Sequence, residues 1–371
     1  MKERHHKHPP LTRVKRGNYH RLEWAIYGTN CGSISTFYQS LVSYLPALKT
    51  FYIDADHAEG DGQYCKQIGN KLLEHPAHTY WNEYDDYFQN VDADVVVVNG
   101  NHYPGQKQIV LIDPKKEASL LRRIDELTDV YAIVVKESQE EIFDFLNSKI
   151  SKDTMVITMG EIQKLYDKIR NDVESRIPRL KALILAGGKS SRMGKDKSQI
   201  DYHGQPMELH LASMCRELGL ESHISKPHDY NLDVVGECSV IKDKMPSMGP
   251  FGAIISAMMS DPESAWLVLA CDLPNLDLTT LQTLIDKRNP SKVATAVRGH
   301  GNPFPEPLIS IYEPRAYPRM LQFLSLGYAC PRKVLINSDV SLWDIDDNEV
   351  ILNVNTVEEK KAFMAQKMID G

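Results

Sequence analysis

The amino-acid sequence predicts an α/β protein built from two three-layer domains. Short apolar runs alternate with longer amphipathic stretches along most of the chain, as expected for strands joined by helices in mostly parallel sheets. The pattern is interrupted at 176–180, where a charged helical stretch meets Pro178. The length of 371 residues is enough for two or three domains of about 150 residues each. We therefore expect domains at 21–176 and 180–371, preceded by a basic, histidine-rich arm at 1–20.

The composition excludes several classes of protein. Hydrophobic residues make up 42% of the chain and charged residues 25%, an ordinary globular mixture. The net charge of −7 argues against a protein built to bind nucleic acid or anionic membranes. The apolar runs are far shorter than the roughly 20 residues of a membrane helix, and no secretory signal is evident. The six cysteines contain no C-x-x-C pair, so we expect reduced thiols in a cytoplasmic protein, without a zinc or dithiol motif.

The first domain is predicted to be a series of short strands separated by helices. Runs rich in β-branched residues indicate the strands, and apolar residues at helical spacing indicate the helices. Proline at 178 ends the last helix. The predicted strands are 24–27, 50–53, 94–98, 108–112, 130–135 and 155–158, and the predicted helices are 35–45, 116–127, 138–146 and 161–176.

The second domain begins with a buried-type strand and repeats the alternation. Pro206 at the first turn of one helix and Gly219 after its last turn are typical start and stop signals. The predicted strands are 181–186, 222–225, 240–242, 266–270, 292–297 and 307–312. The predicted helices are 206–218, 250–259, 278–287, 315–326, 331–336 and 357–367.

The most informative segment is L-A-G-G-K-S-S-R-M-G-K-D-K at 185–197, which follows the first strand of the second domain. Its glycines let the backbone approach a phosphate closely, and its lysines and arginine can neutralise phosphate charge. Ligands of open parallel sheets bind beyond the carboxyl ends of the strands, where this segment is predicted to lie. It is not a Walker A loop, because the G-x-x-x-x-G-K-[ST] pattern is not met. The segment therefore predicts a phosphate-binding loop of another kind.

This segment resembles the signature of the molybdenum cofactor guanylyltransferases, which are nucleotidyltransferases. Four further motifs follow in the order of that family: G-P-F-G-A at 249–253, C-D-L-P at 271–274, E-P-L with a following tyrosine at 306–312, and N-V-N-T at 353–356. One departure is Phe251, where the family usually has leucine. The resemblance covers the second half of the chain and implies a Rossmann-like nucleotidyltransferase domain over 180–371.

The reaction that the resemblance implies is transfer of GMP from GTP to a molybdopterin-type cofactor, with release of pyrophosphate. A phosphate monoester acceptor is already ionised at neutral pH, so positioning and charge neutralisation by Mg²⁺ and basic groups are sufficient. Asp272 is the expected metal ligand, since it follows an apolar strand and Asp277 is available to cap the next helix.

The resemblance also implies the site residues. Catalytic roles fall to Arg192, Lys197 and Asp272. Nucleotide contacts are expected from Leu185, Ala186, Gly187, Gly188, Lys197, Asp243, Gly249, Gly252 and Asp272. Asn355 is expected to face the acceptor or the metal, with a turn-forming role as the alternative. Lys189 and Lys195 are either phosphate contacts or solvated loop charges.

The first domain carries a modified phosphate loop, G-T-N-C-G-S-I-S at 28–35, with Ser33 where the P-loop lysine would stand. With D-A-D-H at 54–57 and V-V-N-G at 97–100, it resembles the P-loop adaptor of molybdopterin-guanine dinucleotide biosynthesis, Asn99 replacing a glutamate of that family. The resemblance implies a degenerate P-loop domain with a binding or docking role. Asp54, Asp56, His57 and His102 can form a metal or phosphate site, although a structural role for His102 stays open.

Two other functions remain open at this point. One is a cytidylyltransferase that acts on the same cofactor or on a sugar or polyol phosphate, because no single side chain dictates guanine. The other is a non-catalytic carrier or insertion chaperone for the cofactor, which would not need Arg192, Lys197 and Asp272 together. Molybdoenzymes or insertion chaperones are the expected protein partners in either case, and neither nucleic acid nor a membrane is expected as one.

Overall fold

The computed structural model describes residues 21–55, 64–68, 71–75, 88, 90–137, 141–187, 197–354, 356, 359–361 and 363–365. The chain divides into two compact units, His20–Arg176 and Ile177–Gly371. Each unit contains its own sheet and its own hydrophobic clusters. The predicted α/β class is confirmed.

The first domain contains a six-stranded sheet in which every neighbouring pair is parallel. Its strand order is β2-β5-β1-β6-β7-β8, and a two-stranded antiparallel hairpin, β3-β4, stands apart from it. The strands are β1 (Leu22–Tyr27), β2 (Thr50–Ile53), β3 (Tyr64–Ile68), β4 (Lys71–His75), β5 (Val95–Asn99), β6 (Lys107–Leu111), β7 (Val130–Val135) and β8 (Met155–Thr158). The helices are α1 (Cys31–Tyr44), α2 (Glu117–Leu121) and α3 (Ile162–Glu174).

Both faces of this sheet are covered. Alternate residues of the central strands point to opposite faces, so that Trp24 and Ala25 belong to different hydrophobic clusters. Helices α1 and α3 bury their apolar stripes on one face, while Leu120, Leu127 and Leu146 lie against the other. The result is the three-layer arrangement expected for a parallel sheet.

Two helix predictions for this domain are wrong. The stretch 116–127 divides into α2 and a 3-10 helix at Ile124–Glu126, and the described part of 138–146 ends in a 3-10 helix at Asp144–Lys149. A 3-10 turn also places residues three apart on one side, so apolar spacing alone did not separate the two kinds of helix. The hairpin β3-β4 was not predicted, because its ten residues show no clear apolar alternation.

The second domain contains an eight-stranded sheet with the order β11-β12-β10-β9-β13-β15-β14-β16. The strands are β9 (Leu180–Leu185), β10 (Glu221–Lys226), β11 (Val234–Val235), β12 (Cys238–Lys242), β13 (Ala265–Ala270), β14 (Ala294–Gly299), β15 (Glu306–Tyr312) and β16 (Val340–Ile345). The helices are α4 (Met207–Glu217), α5 (Pro250–Ser260), α6 (Leu278–Asp286), α7 (Ala316–Ser325) and α8 (Pro331–Ile336).

This second sheet is mixed, not uniformly parallel. Strand β15 runs antiparallel to both of its neighbours, β13 and β14. Only residues 300–305 separate β14 from β15, too few for the crossover that a parallel pair needs. Strand β16 was missed because it lies at the sheet edge and its residues are mostly partly exposed.

Helices again cover both faces of the second sheet. Helices α4 and α6 pack with Ala182 and Ile184 on one face, and α5, α7 and α8 pack with Leu183 on the other. Among the described residues, no helix is long and apolar enough to span a membrane.

Candidate functional site

The carboxyl ends of four neighbouring strands in the second domain meet at one edge of the sheet. The strand register pairs Lys242 of β12 with Lys226 of β10, Ser225 of β10 with Leu185 of β9, and Leu185 with Ala270 of β13. Neighbouring strands in a sheet lie about 4.8 Å apart. The residues that directly follow β12, β9 and β13, including most of the predicted site, therefore emerge side by side.

The chain order reverses between β9 and β13. Strands β10 and β12 follow β9 on one side, whereas β13 lies on its other side. Such a reversal leaves a crevice beyond the carboxyl ends of the two strands, where open α/β sheets bind their ligands. Gly187 and Asp272 each stand two residues beyond the paired ends Leu185 and Ala270, one on each side of this crevice.

The glycine-rich segment starts from a tightly packed strand end. The N–H of Ala186 donates to the carbonyl oxygen of Ser225 at 3.2 Å. Gly187 is exposed, and a Cβ on it would lie 3.3 Å from Cδ of Pro227. Lack of a side chain lets this backbone pass close to Pro227 while it stays open to a ligand.

The rest of the predicted phosphate loop lies largely outside the described residues. This applies to Gly188, Lys189, Arg192 and Lys195. The described chain resumes at Lys197, the first residue of a 3-10 helix at Lys197–Gln199. The predicted nucleotide contacts of these residues stay predictions.

Asp243 is fixed by its own turn. Its Oδ1 accepts hydrogen bonds from the N–H of Met245 at 2.8 Å and from Oγ of Ser256 at 3.2 Å. Gly252 packs against this turn, and a Cβ there would lie 2.5 Å from the carbonyl oxygen of Met245. Gly252 therefore allows α5 to approach the Asp243 turn, which holds the carboxylate at the sheet edge.

Gly249 immediately precedes α5 and has a backbone that side chains rarely adopt. Its φ is +57° and its ψ is −141°. A residue with a Cβ would be strained at this φ, even though, among the described residues other than its chain neighbours, no atom lies within 4 Å of the Cβ position. Gly249 thus directs the chain into α5, whose first residue is Pro250.

Asp272 lies at the crevice in a firmly held segment. Its carbonyl oxygen accepts the N–H of Val354 at 2.8 Å, which brings the 353–356 motif beside it. Asn275 donates from Nδ2 to the carbonyl oxygen of Glu349 at 3.0 Å. Asp277 caps α6, as its position predicted, by accepting the N–H of Thr280 at 2.7 Å. Asn355 lies outside the described residues.

The loop that contains His203 contacts the segment after Asp272. Nε2 of His203 lies 2.9 Å from the carbonyl oxygen of Pro274, and its ring stacks on His210 at 3.9 Å. Burial and the negative charge of Asp272 both raise the pKa of Tyr202 above its usual value.

A buried polar cluster that was not predicted from the sequence lies at the same edge. Glu208 and Lys226 form an ion pair at 2.6 Å, with side chains 2% and 4% exposed. Gln199 donates from Nε2 to the other oxygen of Glu208 at 2.7 Å. The sequence feature that could have indicated this cluster is Lys226, a lysine at the end of a buried strand and directly before Pro227.

The modified loop of the first domain occupies the turn from β1 to α1. Gly28 has a φ of +87°, and a Cβ on it would collide with the carbonyl oxygen of Leu111. Asn30 caps α1, because its side chain accepts the N–H of Ser33 at 2.9 Å. A groove of about 1060 Å³ runs from this loop along α1 and α3, lined by residues that include Ser40, Tyr44 and Lys136.

Asp54 and His102, two of the four residues considered for a metal or phosphate site, come together near this loop. Oδ1 of Asp54 lies 3.8 Å from Nε2 of His102 and accepts a hydrogen bond from Asn99 at 2.7 Å. Cys31, which the sequence analysis did not single out, has its Sγ 3.4 Å from the same His102 nitrogen. Asp56 and His57 lie outside the described residues, and the described ones contain no group of three or more ligands placed to hold a metal. The predicted four-residue site stays a prediction.

Comparisons with known proteins agree with the motifs of the second domain. The MobA-like NTP transferase domain family matches residues 182–340. A probable molybdenum cofactor guanylyltransferase from Trichormus variabilis is 31% identical over 188 residues, which cover 48% of this chain and 88% of that protein. The chain belongs to the molybdenum cofactor guanylyltransferase family. The family resemblance predicted for the second domain is confirmed, and this domain is a nucleotidyltransferase domain.

Two further proteins are similar to this guanylyltransferase-family chain. A molybdenum cofactor biosynthesis bifunctional protein from Synechocystis is 33% identical over 222 residues, which cover 59% of this chain and 62% of that protein. This chain thus spans less than two thirds of that relative. Among solved structures, a MobB protein homolog from Bacillus stearothermophilus aligns with 41% of this chain and 98% of its own, at 14% identity and a TM-score of 0.30.

Proposed function

We propose that this protein transfers GMP from GTP to a molybdopterin-type cofactor and releases pyrophosphate. The observation that carries the proposal is the crevice between β9 and β13, which has Gly187 on one side and Asp272 on the other. A phosphate-binding backbone and a carboxylate at a switch point are what nucleotide binding with a metal requires. The names of the related proteins, molybdenum cofactor guanylyltransferases, support guanine as the base and the cofactor as the acceptor.

The proposed reaction is an in-line displacement at the α-phosphorus of GTP. The acceptor phosphate oxygen forms the new P–O bond as the bond to pyrophosphate breaks, and pyrophosphate departs with the electron pair. No strong base is needed, because the acceptor is already ionised. The chain's contribution is to place the two substrates in line and to offset their negative charge.

Each predicted residue has a part in this proposal. The backbone at Leu185, Ala186, Gly187 and Gly188 approaches the phosphates, while Arg192 and Lys197 neutralise charge on the triphosphate. Asp243, Gly249 and Gly252 form the nucleoside side of the site, where the Asp243 turn packs on α5. We assign Asn355 to the acceptor; the support is that the N–H of its neighbour Val354 donates a hydrogen bond to the carbonyl oxygen of Asp272.

Mg²⁺ fits the donor chemistry of the crevice. Asp272 contributes a hard carboxylate oxygen that is not needed as a helix cap, since Asp277 fills that role. Mg²⁺ usually binds through one or two protein carboxylates and takes its other ligands from phosphates and water. When bound it supplies positive charge to the phosphate oxygens. Asp272 is the residue that we propose as its ligand.

We further propose that the first domain acts as an adaptor. Ser33 in place of the phosphate-loop lysine argues against efficient nucleotide hydrolysis there, and the groove beside α1 offers room for a ligand. The Synechocystis relative is named as bifunctional, which supports two activities or roles in one chain. Molybdoenzymes or insertion chaperones in the cytoplasm are the proposed partners.

The decisive experiment mixes the purified chain, Mg²⁺, molybdopterin and one nucleoside triphosphate at a time, and identifies products by mass spectrometry. The proposal expects the guanine dinucleotide form of the cofactor and an equal amount of pyrophosphate with GTP. Product with CTP alone would replace it by a cytidylyltransferase. Nucleotide binding without product from any triphosphate would favour the carrier role and overturn the enzyme.

A further inference from the structure

A buried carboxylate connects three parts of the nucleotidyltransferase domain at the edge that holds the site. Glu208 lies in the first turn of α4 and is 1% exposed. Its Oε2 accepts from Nζ of Lys226, the last residue of β10, at 2.6 Å. Its Oε1 accepts from Nε2 of Gln199 at 2.7 Å. Both oxygens therefore have a charged or amide donor, and the carboxylate is held in one orientation.

The two partners of Glu208 lie close in sequence or in space to the two described ends of the glycine-rich segment, Gly187 and Lys197. Gln199 stands two residues after Lys197, where the described chain resumes. Lys226 is followed by Pro227, against which Gly187 packs at the point where the segment begins. Lys226 also offers its carbonyl oxygen to the N–H of Asp243 at 2.9 Å. The two partners of this carboxylate thus lie next to the departure of the segment, its return and the Asp243 turn.

Stability alone does not account for this cluster. Removing two charges from water is costly, and apolar residues of similar size often serve as well or better in a core. The neighbours of Glu208 in α4, Met207 and Leu211, are fully buried and apolar, so the surroundings would accept such residues. The free-energy cost of burying the ion pair has an explanation if the two charges hold a geometry that apolar contacts cannot hold.

We infer that Glu208 is a positioning residue for the nucleotide. Its carboxylate, clamped by Lys226, holds the returning end of the glycine-rich segment through Gln199. The effect expected on the reaction rate rests on the proposed function, because a displaced phosphate loop lowers the rate only if this loop aligns the triphosphate for transfer. A misplacement of about 1 Å can lower a rate by roughly a hundredfold.

Two double variants isolate the contact to Gln199. Glu208→Leu with Lys226→Met removes both charges and leaves Gln199 without an acceptor. Glu208→Gln with Lys226→Met removes the same charges but keeps an amide oxygen for Gln199. The two differ in one hydrogen bond and hardly in size, so a purely structural role would affect both alike.

A matched control comes from a second buried ion pair in the same domain. Arg288 and Glu313 form two hydrogen bonds, at 2.7 and 2.9 Å, and Arg288 also donates to the carbonyl oxygen of Pro178. Pro178 precedes the amino end of β9, the opposite end from Gly187. The double variant Arg288→Met with Glu313→Leu should leave nucleotide affinity within about threefold of the parent, since it alters a similar pair away from the site.

The first measurement is the affinity of each full-length variant for GTP with Mg²⁺, without acceptor. The second is amide hydrogen exchange in peptides that contain Gln199. We expect the leucine double variant to bind GTP at least about tenfold more weakly and to exchange faster at Gln199, because it lacks the hydrogen bond. The glutamine double variant should be within about threefold of the parent in affinity if the amide restores the contact.

Turnover with molybdopterin is measured separately, so that the two proposals can fail independently. A parent that produces no dinucleotide from any triphosphate overturns the proposed function, while affinity and exchange still test the role of Glu208. Parent-like affinity together with parent-like exchange in the leucine double variant would overturn the positioning role. Equal loss in the leucine, glutamine and control variants would also overturn it, by showing a general effect of removing buried charge.

Discussion

Replacement of Asp272 by asparagine tests the proposed chemistry most directly. The substitution keeps the size of the side chain and removes the negative charge. The fold should be little affected, because the bond from Val354 uses the backbone carbonyl of residue 272 and the cap of α6 belongs to Asp277. Strand β13 before it is fully buried and apolar, and the change leaves it intact.

The expected cost of Asp272→Asn falls on the chemical step. Charge supplied by a positioned metal is worth several kcal/mol in such reactions, so we expect turnover to fall by at least about a hundredfold, or roughly 2.7 kcal/mol. Affinity for GTP should change much less, since the backbone at Gly187 and the basic residues of 185–197 remain. The assay compares transferase rate and GTP affinity at saturating Mg²⁺, with thermal melting as the test of folding.

Asp277→Asn is the matched control, since asparagine caps a helix about as well as aspartate. It removes the same charge five positions away and should keep parent-like rate and melting temperature. If Asp272→Asn melts normally and turns over at near the parent rate, the metal is held elsewhere and the mechanism is refuted.

Three other outcomes are expected. Gly252→Ala should lower stability by about 1–3 kcal/mol in thermal unfolding, because its Cβ would lie 2.5 Å from the backbone oxygen of Met245; an unchanged melting temperature would contradict the packing argument. Burial lowers the pKa of His223 in the folded chain, so that as the pH falls below about 6.5 this histidine takes up a proton in the unfolded chain before it does so in the folded one. The free energy of unfolding should therefore decrease below that pH, and urea unfolding at about pH 7.5 and pH 5.5 should show a smaller decrease for His223→Gln than for the parent. The Asp272→Asn protein should release phosphate from GTP no faster than buffer, because Ser33 replaces the phosphate-loop lysine, and rapid Mg²⁺-dependent hydrolysis would show an active first domain.

The local parts of the site could be predicted from the sequence. An apolar strand followed by glycines, and another followed by C-D-L-P, each carry their structure in consecutive residues, and both β9 and β13 were expected within a residue or two. The cap at Asp277 follows from the same kind of local signal. Such features depend on backbone geometry and short-range hydrogen bonds.

The parts that escaped prediction depend on contacts between distant residues. The pair of Glu208 and Lys226 joins residues 18 positions apart, and nothing in either neighbourhood specifies the partner. The antiparallel direction of β15 depends on how the sheet accommodates a strand after a short connection. The apolar alternation of its residues would be the same for a parallel and for an antiparallel strand, so it does not predict the direction. The contact between Cys31 and His102 spans 71 positions and brings together the first residue of α1 and the turn after β5.

The two sides of the crevice are held by contacts with different parts of the chain, and this difference bears on how the proposed reaction would be organised. The Gly187 side is held by the backbone hydrogen bond from Ala186 to Ser225 and by the packing of Pro227, which follows the Lys226 that pairs with Glu208. On the Asp272 side, the backbone hydrogen bond from Val354 joins Asp272 to the motif proposed for the acceptor, and the side chains of Asn275 and Asp277 hold the residues that follow. A displacement of the acceptor motif would therefore move the carboxylate of Asp272 with it, whereas the nucleotide side has its own anchor. It follows that side-chain substitutions around Glu208 should affect nucleotide affinity first, and changes in 353–356 should affect the chemical step first.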